Sequence, residues 1–178
     1  VANTVAAYRR MAELVDYPLH IGVTETGSVA NGIIKSAIGI GALLLDGIGN
    51  TLRVSLTDSP VREVETGLMI SKALNLRKDD IEIISCPTCG RTRVDLMKAV
   101  SYVEEHVHRN AGYLRIAVMG CAVNGPGEAA DADIGIAFGA SNGVLFKNGQ
   151  KFAAGAMPEI MTRLVDEANT MLDERKAK

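Results

Sequence analysis

Apolar and polar positions alternate along the chain in two rhythms, one helical and one extended. "ANTVAAYRRMAELV" at the start reads as a helix already under way. "PLHIGV" (18–23) is a short buried strand, followed by the polar turn "TETGSVANG". "IIKSAIGIGALLLDGIG" (33–49) reads as a glycine-bearing buried helix. In "TLRVSL" (51–56), Leu52, Val54 and Leu56 alternate with Thr51, Arg53 and Ser55, the period of a strand. Ser59 before Pro60 marks the next helix start, because proline at the first helical position loses no hydrogen bond; Val61, Val64 and Leu68 then supply its apolar face.

A second organisation begins near Asp79. "IEIIS" (81–85) is a strand that delivers Cys86, and a helix follows with Leu96, Val100, Val103 and Val107 on one side. "YLRIAVMG" (113–120) is a strand that delivers Cys121. "DIGIAFG" and "GVLFKNGQ" are two further short strands. A last helix from about Met157 carries Met161, Leu164, Val165, Ala168 and Leu172 at helical spacing.

Helix and strand units that alternate in this way belong to an α/β fold with parallel strands. Two such units cannot close a barrel, which takes eight strands and about 250 residues. Residues 1–77 therefore read as the end of a barrel domain, and residues 78–178 as a second, smaller domain. The opening Val1, without a start methionine or signal peptide, fits a piece of a longer protein.

Composition narrows the choice of function. Nineteen Lys and Arg against 21 Asp and Glu leave a net charge of −2, so no polybasic surface for nucleic acid is expected. The longest apolar run, "AIGIGALLL", is too short for the roughly 20 residues of a membrane span. Three cysteines are an odd number, which fits a disulfide scaffold poorly and a reducing compartment well.

Those cysteines carry the chemistry. Cys86 and Cys89, in "SCPTCGRT", follow one strand directly, and Cys121 follows another. Neighbouring strands that end at one edge would gather three thiols, the arrangement of a metal or cluster site. Alone, the Cys86–Cys89 pair fits a redox disulfide, half of a zinc site or part of an iron–sulfur site. A dithiol role leaves Cys121 idle. Zinc needs a fourth ligand, but His106 and His108 stand two apart on a helix whose apolar stripe skips both, so they read as solvent-facing. Glu128, seven residues after Cys121, is the better fourth candidate, although a surface glutamate after a turn has the same appearance.

"SCPTCGRT" and, some thirty residues on, "VMGCAVNGPGEAADADIGIA" resemble the cluster domain of the 4-hydroxy-3-methylbut-2-enyl diphosphate synthase family of the non-mevalonate isoprenoid pathway. "HIGVTETG", "KSAIGIGALLLDGIGNTLRVSL" and "DSPVREV" are similar to the last part of that family's barrel, so the resemblance covers nearly the whole chain. It implies the last two βα units of a TIM-type barrel followed by a mixed α/β iron–sulfur domain.

The resemblance also implies a four-iron, four-sulfur cluster on Cys86, Cys89 and Cys121, with Glu128 as replaceable fourth ligand. The implied reaction reduces 2-C-methyl-D-erythritol 2,4-cyclodiphosphate, opening its ring with loss of a hydroxyl as water. Reduced flavodoxin or ferredoxin supplies the two electrons. Glu25 in "VTETG" matches the carboxylate proposed as acid, and Asn124 a residue that reaches the substrate.

His20, Lys35, Arg53 and Ser55 lie where barrel enzymes often bind phosphate, around their last strands. Lys35 reads equally as a solvated surface lysine, and His20 as a core histidine. Arg53 interrupts an otherwise apolar strand, where a buried guanidinium demands an acidic partner. Thr26 and Phe138 depart from the family pattern, and Phe138 is placed to alter packing near the cluster.

The resemblance further implies a homodimer in the bacterial cytoplasm or plastid stroma. Most of the family's barrel, with arginines that grip the diphosphate, falls outside this chain. The chain alone is therefore expected to hold the cluster but turn over substrate poorly. A non-catalytic iron–sulfur electron carrier and a zinc-stabilised module are the competing readings.

Overall fold

The computed structural model describes residues 1–24, 26–108 and 112–177, which divide into two units, Val1–Lys78 and Asp79–Lys178. The chain is a mixed α/β protein. Among the described residues, no helix is long and apolar enough to cross a membrane.

The first unit runs α1 (Ala2–Leu14), β1 (His20–Gly22), α2 (Val29–Leu45), β2 (Thr51–Arg53) and α3 (Pro60–Ala73). Strands β1 and β2 pair in parallel, with His20 opposite Thr51 and Gly22 opposite Arg53. Val5, Ile21, Ile40, Leu43, Val54 and Ile70 form the core of this unit. Helix α2 begins and ends four residues earlier than its apolar run implies. It stops at Leu45 because Gly47 (φ 75°) and Gly49 (φ 118°) take left-handed conformations that turn the chain into β2.

Helix α3 starts as expected, with the Ser59 hydroxyl accepting from the Val61 N–H. Its inward face is a correction. Thr66, Gly67 and Ile70 are buried, whereas Val61 and Val64 are 65% and 63% exposed. Gly67 faces inward because a Cβ there would stand only 3.0 Å from Leu52 Cδ1, so α3 closes on β2 through its smallest residue.

The second unit contains β3 (Ile81–Ser85), α4 (Leu96–His106), β4 (Leu114–Met119), α5 (Gly125–Ala130), β5 (Ile134–Phe138), β6 (Asn142–Lys147), β7 (Gln150–Ala156) and α6 (Met157–Lys176). These strands form one sheet in the order β3-β4-β5-β6-β7; the first three run parallel and the last two antiparallel. One sheet face supplies Ile116, Val118, Ile134, Ile136 and Phe138 to a core shared with Leu96 and Val103 of α4 and Leu164, Ala168 and Leu172 of α6. The other face is built mainly from small residues. Ala117, Met119 and Ala137 pack there against Ala129 of α5 and Ala132.

Two elements escaped the sequence reading. Strand β7 pairs with β6 through a turn at Asn148 (φ 49°) and Gly149 (φ 79°), the Asn-Gly signal of a tight hairpin. Helix α5 takes up residues that read as a turn.

Candidate metal centre

The parallel register sets the site. Ser85 lies opposite Val118, so β3 and β4 end together and release Cys86 and Cys121 at the same edge. Cys86 is half-buried and packs against the apolar clusters on both faces of the sheet. Its Sγ accepts the Gly120 N–H at 3.3 Å.

The loop from Cys86 is then tied back to β4, because the Arg93 N–H donates to the Gly120 carbonyl at 3.0 Å. Within that loop, the Cys89 N–H donates to Thr92 Oγ1 and the Thr92 N–H donates to the Cys89 carbonyl. Gly120 allows this closure. A Cβ there would stand 2.9 Å from Thr92 Cγ2 and 3.3 Å from Leu96 Cδ2.

Donors surround the other two sulfurs as well. The Cys89 thiol, on an exposed turn, is held below its ordinary pKa by hydrogen bonds from the backbone and side chain of Arg91 and from Thr92. Cys121 is only 8% exposed, and the N–H groups of Asn124, Val123 and Gly125, where α5 begins, lower its thiol. The Arg91 charge acts on both thiols in the same direction. All three cysteines are free thiols.

Helix α5 carries Glu128. It rests on the sheet through Gly125 and Ala129, while Asn124 and Glu128, four positions apart, lie exposed on one side of it. The helix can lie this close because Gly135 of β5 has no side chain; a Cβ there would meet the Ala129 carbonyl oxygen at 2.7 Å. The described side chains include no group of three or more His, Cys, Asp or Glu close enough to hold a metal ion. The thiols thus share a rim, and Glu128 stands on the neighbouring helix without closing on them.

The donor set nevertheless fits an iron–sulfur group. It combines three thiols, two of them with lowered pKa, with N–H donors to sulfur and a nearby carboxylate. The histidines do not join it. His106 ends α4, about 16 Å along the helix from its start beside the cysteine loop. Its ring stacks on Tyr102, and its Nδ1 pairs with the Tyr102 carbonyl. Phe138 is fully buried in the core beneath α4 and α6, on the opposite sheet face from α5.

The expected phosphate residues all belong to the first unit. His20 and Arg53 line one groove of about 560 Å³ with Glu63, Ser71 and Arg77. Arg53 is exposed there, so the expectation of a buried guanidinium is not met. His20 is also exposed rather than core, its Nδ1 2.8 Å from Thr51 Oγ1. Lys35 is exposed on α2, away from that groove's lining. Ser55 is half-buried and accepts the Thr26 hydroxyl at its carbonyl, which ties the loop after β1 to the segment that follows β2. Glu25 lies outside the described residues.

Arg91, Thr92 and Gly120 were missed in the sequence. Their signals were the "GRT" after the second cysteine and the glycine before the third.

Together, the fold and this rim define an α/β protein with thiols gathered where parallel strands end. The GcpE TIM-barrel domain matches residues 1–68, and the GcpE protein C-terminal domain matches residues 82–170. The relatives are named 4-hydroxy-3-methylbut-2-en-1-yl diphosphate synthase (flavodoxin). That of Geobacter sulfurreducens is 51% identical over 175 residues, 98% of this chain and 50% of the relative. That of Fusobacterium nucleatum is 53% identical over 170 residues, 94% of this chain and 48% of the relative. The Caldanaerobacter subterraneus protein is 50% identical over 174 residues, 98% of this chain and 49% of the relative. The chain belongs to the GcpE family, the 4-hydroxy-3-methylbut-2-enyl diphosphate synthases, and spans about half the length of the curated relatives it matches.

Proposed function

We propose that this chain is the carboxy-terminal part of such a synthase, pairing the last two βα units of a TIM-type barrel with an iron–sulfur domain. Cys86, Cys89 and Cys121 would hold a four-iron, four-sulfur cluster, with Glu128 as its exchangeable fourth ligand. The observation that supports this reading most is the Gly120 N–H donating to the Cys86 sulfur; the backbone N–H groups of Asn124, Val123 and Gly125 also favour the Cys121 thiolate. Such donors stabilise the negative charge of a metal-bound thiolate.

When bound, the cluster supplies single electrons and one exchangeable coordination position. The chain's own residues do the rest. Arg53 and His20, which line one groove, and Lys35 on α2 would meet the negative charge of a cyclic diphosphate, with Ser55 two residues beyond β2 as a further contact. Asn124 contacts the substrate from the cluster side, and Glu25 delivers the proton that lets a hydroxyl leave as water. The product is 4-hydroxy-3-methylbut-2-enyl diphosphate, and reduced flavodoxin is the electron source. The chain by itself is expected to take up the cluster and turn over substrate poorly, since it covers half of the relatives' length.

Iron, acid-labile sulfide and zinc per chain, measured after strictly anaerobic reconstitution, test the reading. About four irons and four sulfides in the chain and in Glu128→Ala, with an altered spectrum in the variant, are expected. One zinc and no sulfide would overturn it.

A further inference from the structure

Beside the cysteine rim, between the end of β3 and helix α4, lies a cavity of about 400 Å³ walled by Cys86, Thr88, Met97, Val100 and Ser101 among others. Met97, at its mouth, is 75% exposed, the most exposed large apolar side chain among the described residues of its unit. Together with Val100 and Cys86 in the same wall, it makes a contiguous apolar patch of the kind that marks an interaction site.

The surroundings indicate what covers it. From Cys86 to Lys98 the chain carries three cations, Arg91, Arg93 and Lys98, against the single carboxylate Asp95, although the whole protein has a net charge of −2. Lys98 pairs with Asp95 at 3.1 Å and the Arg91 side chain turns to the Cys89 sulfur, which leaves the exposed Arg93 as the uncompensated charge of the segment. An apolar wall containing methionine, with an arginine on the loop that joins its two sides, has the composition of a protein docking surface. Its sign selects an acidic partner.

The cavity also lies on the α4 side of the sheet, whereas Asn124 and Glu128 stand on α5, which packs on the opposite face. Cys86 packs against both faces and is the residue that joins the two sides.

We propose that the Met97 cavity, with Arg93 on the loop that joins its walls, forms the docking surface for an acidic, flavodoxin-type electron carrier, which passes electrons in through Cys86 while substrate is met on the α5 side. This rests on the reading that the three cysteines hold an iron–sulfur cluster. In each event the carrier loses one electron and the cluster gains it; no bond is made or broken.

The test compares Arg93→Glu and Met97→Ser with the unaltered chain after anaerobic reconstitution. Lys151→Glu, an exposed charge reversal on β7, is the control. Stopped-flow spectroscopy follows cluster reduction by reduced flavodoxin and, separately, by dithionite. Arg93→Glu should slow reduction by flavodoxin about tenfold at low salt, with the difference shrinking as salt is added. Met97→Ser should slow it at every salt concentration. Dithionite rates and iron content should stay unchanged in all variants, and Lys151→Glu should behave as the unaltered chain. If flavodoxin reduces Arg93→Glu and Met97→Ser at the unaltered rate, the docking surface is wrong while the cluster reading stands. If the unaltered chain takes up no iron and sulfide, both fall.

Discussion

The Gly120 N–H points at the sulfur of Cys86, 3.3 Å away, and so links two segments 34 residues apart. The pair depends on Gly120 having no side chain, for Thr92 occupies the space a methyl group would need. Gly120→Ala should therefore push Thr92 aside and break its hydrogen bond to the Cys89 N–H. We expect a loss of about 1–3 kcal/mol in a denaturant titration, together with reduced iron uptake. Thr92→Ser removes the crowded methyl and keeps the hydroxyl, so the double variant should recover most of both. No recovery would mean that crowding at Thr92 is not the cause.

Helix α5 sits close to the sheet because Gly135 leaves room for it. In Gly135→Ala the new methyl group meets the Ala129 carbonyl oxygen at 2.7 Å and Ala117 Cβ at 2.9 Å. Backbone cannot yield as a side-chain tip does, so a loss of about 1–3 kcal/mol is expected. Gly127→Ala, where a Cβ meets nothing within 4 Å, is the contrast on the helix itself. Its effect on the metal-free chain should stay within about 0.5 kcal/mol. Equal losses in the two variants would contradict this account of α5.

Glu128 is exposed and forms no ion pair with another described residue. Glu128→Ala should leave the melting of the metal-free chain within about 0.5 kcal/mol of the original. The visible spectrum after reconstitution should change. A large loss of stability in the metal-free variant would give Glu128 a structural duty instead.

Alkaline pH should reveal Tyr113. Burial, followed by its hydrogen bond to Glu82, raises the phenol above its ordinary pKa of 10.0. Above that pH the unfolded chain gives up the proton while the folded chain keeps it. The unfolded state then binds fewer protons, and stability falls as pH rises. The contribution is complete below the unfolded pKa and is lost as pH climbs through the folded one. Urea titrations on both sides of pH 10 should show a shallower fall for Tyr113→Phe than for the original chain. Parallel curves would remove Tyr113 from the account.

The alternating elements of the chain, the final amphipathic helix and the delivery of Cys86 and Cys121 by two strands were all legible from pattern and spacing. Each depends on neighbours in the chain: strand alternation, helical period, a proline at a helix start, a cysteine at a strand end. The resemblance to the synthases rested on equally local motifs. The valines of α3 misled because an apolar face in sequence does not say which side the rest of the protein covers; Val61 and Val64 stay exposed while Gly67 and Ile70 turn inward. Helix α5 was hidden in "NGPGEAA", whose glycines and proline signal a turn by propensity alone. Packing against Gly135 and Ala117 outweighs that propensity.

The sequence by itself determined where the thiols stand along the chain and that two strands deliver them, because those properties are carried by short stretches of chain. Only the tertiary structure decided that Gly120 faces Cys86, that Arg91 acts on both Cys89 and Cys121, and that α4 and α5 cover opposite faces of the sheet. Those relationships join segments tens of residues apart. They follow from the parallel register of β3 and β4 and from where small residues let the backbone come close, which no local pattern encodes.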